Sequence, residues 1–126
     1  MLLNDAVAAL CEWGPAAKVS PEIRLANRHP TLSEEAIRQC VESARKACLF
    51  AYQRFVEMVD AKPESTNAVW HQFETSVGNT FPWLTHRSLR RLFFQASYGA
   101  YKDGILSGPL TAPHRSVLQW IKDAVK

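Results

Sequence analysis

The chain has 126 residues, the length of one domain, and can bury a core without staples. Hydrophobic residues make up 47% and charged residues 21%, which excludes a long disordered chain and a fibrous protein. The net charge of +3 comes wholly from the second half: residues 1–63 hold eight basic and eight acidic side chains, residues 64–126 seven basic and four acidic, an asymmetry that favours an anionic partner.

Asn4 is placed to cap a short helix running to about Trp13, with Gly14-Pro15 ending it. Ser20-Pro21 is a cap followed by proline at the first helical position, and opens a second short helix to about Arg28, closed by Pro30. Thr31 or Ser33, with Glu34 and Glu35 behind, starts the longest helix, about 33–60. Its apolar positions Ile37, Val41, Ala44, Cys48, Ala51, Phe55 and Met58 recur in a seven-residue pattern. Small residues at Ala44, Ala47, Cys48 and Ala51 suit close approach by another helix. Lys62-Pro63 ends it.

Ser65 or Thr66 caps a fourth helix with the stripe Val69, Trp70, Phe73 and Val77, stopped at Gly78-Asn79. Phe81-Pro82-Trp83 is an apolar linker expected to tuck inward, and otherwise a candidate contact patch. Thr85 caps a fifth helix to about Asp103, followed by Gly104. After the Gly108-Pro109 turn, Thr111 starts a last helix containing Val117, Leu118, Ile121 and Val125. No period-two stretch is long enough for a strand. The expectation is an all-α, single-domain bundle of five or six helices over residues 1–126, with one long central helix.

The fifth helix carries the most functional information. At 100° per residue, Leu89, Leu92, Phe93, Ala96 and Ala100 form a core face. Arg87, Arg90, Arg91, Phe94, Gln95, Tyr98, Tyr101 and Lys102 gather on the opposite side. Cations of this kind neutralise phosphates, and flat rings stack on unpaired bases at about 1–3 kcal/mol per base. Alternatively, Phe94, Tyr98 and Tyr101 lie beneath another helix, with arginine stems edging the contact.

Residues 85–93, Thr-His-Arg-Ser-Leu-Arg-Arg-Leu-Phe, resemble the opening of the recognition helix in AraC-type helix-turn-helix regulators, and Gly99-Ala100-Tyr101 faintly resembles the later part of that helix. The resemblance spans residues 85–101 alone. The linker 78–84 is longer than that family's turn, and no second helix-turn-helix is evident, so family membership is not inferred.

Catalytic chemistry finds little support. His71 and Glu74 stand in the reverse order of a di-iron Glu-x-x-His, with no second pair. His29, His86 and His114 have no neighbours that complete a ligand set, and no zinc spacing or phosphate-cradling glycine loop occurs. Neither an enzyme nor a cofactor is expected. Cys11, Cys40 and Cys48 are too few for a disulfide framework and read as small core hydrophobes in a reducing compartment. The start Met-Leu-Leu-Asn-Asp lacks the features of a secretory signal, and no apolar run spans a membrane, so a cytoplasmic location is expected.

The leading reading is a non-enzymatic binding protein that presents Arg87, Arg90, Arg91, Phe94, Tyr98, Tyr101 and Lys102 to nucleic acid or an acidic protein surface, directly or as a small subunit of a nucleoprotein assembly. The alternative is a protein-protein adaptor or inhibitor, using the long helix or Phe81-Pro82-Trp83, with homo-oligomerisation possible through the seven-residue repeat.

Overall fold

Side-chain hydroxyls open four of the five helices of the computed structural model, which describes residues 2–11, 18–108, 110 and 112. Helix α1 spans Leu2–Leu10, α2 Pro21–Arg28, α3 Glu34–Asp60, α4 Thr66–Thr80 and α5 His86–Lys102. Ser20, Ser33, Ser65 and Thr85 each accept a hydrogen bond from the backbone N–H three residues on, satisfying a donor that the first turn leaves without an intrahelical partner. Among the described residues there is no strand, and the helices pack as one all-α domain around α3. The proposed last helix from Thr111 lies outside the described residues, as do Trp13, Gly14-Pro15 and His114.

Two element ends differ from expectation. Asn4 is not a cap, because α1 already begins at Leu2. Gly78-Asn79 does not stop α4, which continues to Thr80. The extra turn is held by the Thr80 hydroxyl, which donates to the Ser76 carbonyl, and by the Phe81 N–H, which donates to the Val77 carbonyl. A helical glycine costs about 1 kcal/mol relative to alanine. Here α5 packs alongside, with Leu89 lying next to Gly78.

The long helix supplies the floor of the core. Ile37, Val41, Ala44, Ala47, Ala51 and Phe55 are buried, while Cys48 and Met58 are only partly so. The mean step between the buried positions is about 3.6 residues, the period of a straight helix. The seam therefore moves from the predicted Cys48 to Ala47. It faces α1, α4 and α5, and is used within the domain. Above it, Phe93 packs edge-on to Phe55, Phe73 and Trp70, with ring centroids 5.2–5.4 Å apart. The linker after α4 does turn inward: Phe81 meets Phe50 edge-on at 5.4 Å, and both Phe81 and Trp83 are half-buried against the core.

Candidate nucleic-acid interface

Leu89, Leu92, Phe93, Ala96 and Ala100 of α5 are buried, as expected, and Ser88 and Ser97 join them. This buried face fixes the helix rotation and so decides where its cations and outer rings project. Two devices fix its ends. At the start, buried Asn4 donates to the Trp83 carbonyl at 2.9 Å and accepts from the Thr85 N–H at 3.0 Å, clamping the α5 cap to α1. At the far end, the Tyr52 phenol of α3 donates to the Asp103 carboxylate. That carboxylate pushes the Tyr52 pKa up, because a phenolate there would lose the hydrogen bond and face a like charge.

The seven predicted residues divide into three groups. Arg87 is exposed and Arg91 half-buried, and neither is paired with a carboxylate among the described residues. Phe94, Tyr98, Tyr101 and Lys102 form a graded stack. Phe94 lies nearly parallel to Tyr98 at 6.4 Å, Tyr101 meets Tyr98 edge-on at 6.0 Å, and the Lys102 ammonium sits 5.4 Å over the Tyr98 ring. Phe94 and Tyr98 are half-buried, whereas Tyr101 is exposed. Arg90 turns the other way and donates to the Ala112 carbonyl at 3.0 Å. Close by, the Ser97 hydroxyl accepts from the Leu110 N–H, with the Leu110 carbonyl also 2.9 Å away. Arg90 and Ser97 thus seat the segment after α5 along one flank of that helix.

The start of α5 also borders a recess that the sequence did not reveal. Asp5 and Ala8 of α1, Arg28 of α2, and Arg87, Ser88 and Arg91 of α5 line a cavity of about 350 Å³. Asp5 accepts from His29 Nε2 at 2.9 Å if that ring nitrogen carries the proton, and lies 3.8 Å from the Arg28 guanidinium. Arg28 came from outside the fifth helix and was missed. A usable signal was the shared i,i+4 spacing of Arg24 with Arg28 and of Arg87 with Arg91, each pair on one helix face.

The histidine and acid pairs make local contacts. Glu74 lies 3.5 Å from His86 and so contacts α5, while His71 is exposed. No group of three or more metal-ligating side chains occurs among the described residues, and no helix there is long and apolar enough to cross a membrane. No protein-family model, curated protein or solved structure matches the chain.

Proposed function

We propose that the chain is a non-enzymatic helical binding protein that holds single-stranded nucleic acid along the outer edge of α5. One observation carries this reading. Arg87 and Arg91 continue directly into the Phe94–Tyr98–Tyr101–Lys102 stack on the same edge. The spacing runs for roughly 16 Å from Arg87 to Tyr98 at about 1.5 Å per residue. Cations followed by flat rings match a charged backbone with unpaired bases. Arg87, Arg91 and Lys102 hold phosphates, and Tyr98 and Tyr101 offer ring surface to bases. Arg90 is assigned to anchoring the Ala112 segment.

The test is a salt titration of binding to short single- and double-stranded DNA and RNA, with the double reversal Arg87→Glu, Arg91→Glu beside the native chain. Single strands are expected to bind more tightly than duplexes, and the reversal to weaken binding by at least about tenfold, or 1.4 kcal/mol. Failure to bind at low salt, or equal binding by the reversed variant, rejects the reading.

A further inference from the structure

The recess at the head of α5 carries more charge than the protein itself balances. Arg28, Arg87 and Arg91 line it, and Asp5 is its one carboxylate, leaving a net of two positive charges. Asp5 is also engaged with His29. A second recess of about 330 Å³ shares Asp5, Ala8 and Arg28 with the first. It is lined by Arg24, whose Nε and Nη1 are buried without a hydrogen-bond partner among the described residues. Arg24 therefore adds positive potential from behind Arg28. Burying cations without counter-charge is costly, and a bound anion offsets that cost.

The shape and charge of the recess select among anions. A phosphodiester inside a strand carries one negative charge and runs on in both directions, which suits an open ridge. A terminal phosphate monoester carries about 1.5 to 2 negative charges at neutral pH and ends the strand, which suits a recess. Three guanidiniums opposing one carboxylate match the terminal group. Guanidinium forks also present the paired donors that phosphate oxygens accept.

We propose that the recess between Arg28, Arg87 and Arg91 seats the terminal phosphate of a nucleic-acid strand, whose bases then pass along Phe94 and Tyr98. The proposal rests on the α5 edge being a single-strand surface and adds an end to it: the strand starts at the recess. The chain would then recognise processed ends, the products of cleavage reactions that leave a phosphate, in preference to hydroxyl ends.

The experiment measures binding of oligothymidylates carrying a 5′-phosphate, a 3′-phosphate or hydroxyls at both ends, with thymidine monophosphate as a fourth ligand. One of the two phosphorylated oligomers is expected to bind about tenfold more tightly than the hydroxyl form. Arg28→Ala and Arg28→Gln are expected to bring that ratio to one. Arg28 is well exposed on its helix, at 68% of its side-chain surface, so neither variant opens the core. Arg38→Ala, which removes an exposed cation from α3, should keep the ratio. Equal binding by all three oligomers, or a ratio that survives both Arg28 variants, overturns the end-recognition proposal while leaving the α5 edge as a strand surface. Mononucleotide binding as tight as that of the phosphorylated oligomer also overturns it, because the recess would then be a nucleotide site. Absence of oligonucleotide binding overturns both.

Discussion

Asn4 illustrates how one side chain can position a surface far away in sequence. Its amide donates to the Trp83 carbonyl and accepts from the Thr85 N–H and hydroxyl, so it ties α1 to the residue that caps α5. Alanine there would strand a buried carbonyl and an N–H. Asn4→Ala should lower unfolding stability by about 2–3 kcal/mol in a urea titration, with the slope unchanged. Cys48 makes a different prediction. Its thiol pKa is lowered chiefly by a hydrogen bond from Cys11 and further by the Arg45 charge, against the opposing effect of burial. The reading of both as plain core hydrophobes missed this contact, because the two cysteines lie on different helices. With the folded-state value below the ordinary one, the unfolded chain binds more protons between the two. Stability from this group is therefore present above the ordinary value near 9.0 and is lost as pH falls through the folded value. Relative to Cys48→Ala, the native chain should gain stability as pH is raised from neutral toward 9. Cys11→Ala should flatten that gain.

Helix boundaries were largely legible because they depend on local chemistry. Ser20, Ser33, Ser65 and Thr85 are caps in the sequence and in the fold, and the linker 81–83 tucks inward as its apolar residues imply. The failures came where packing outweighed a local preference. Gly78 stays helical beside Leu89, and Ala47 replaces Cys48 in the α3 seam because the helix runs straight. The same α3 seam lies inside the domain, facing α1, α4 and α5, which leaves it no free face for a partner helix. The end of α3 yields the prediction at this scale. Lys62 closes the helix in the left-handed region, at φ 53, before Pro63. A side chain there is strained by roughly 1–2 kcal/mol, and glycine is the residue that adopts this conformation freely. Lys62→Gly should stabilise the fold by about 0.5–1 kcal/mol, after the entropy that glycine adds to the unfolded chain. A thermal melt that falls or stays unchanged would show that Lys62 makes compensating contacts.

At the scale of the whole molecule, the site was half legible. Turning α5 at 100° per residue located its basic and aromatic edge, since that pattern lies within one helix. It did not separate Arg90, which faces Ala112, from Arg87 and Arg91, nor did it bring in Arg28, about sixty residues earlier in the chain. Those facts depend on how α1 and α2 pack beside α5, which helical periodicity does not contain. The assembled site predicts how binding responds to salt. Three phosphate-holding cations, Arg87, Arg91 and Lys102, imply a slope of log affinity against log salt of about −2 for a single strand, at roughly 0.7 per neutralised phosphate. Arg91→Gln should reduce that slope by about 0.7. Tyr101 is exposed and uncharged, so Tyr101→Ala should weaken binding by about 1–3 kcal/mol and leave the slope where it was. The two variants therefore separate charge from stacking on one edge of one helix. If Tyr101→Ala changes the slope, or Arg91→Gln changes only the intercept, the rings and cations do not contact the strand in the order in which α5 presents them.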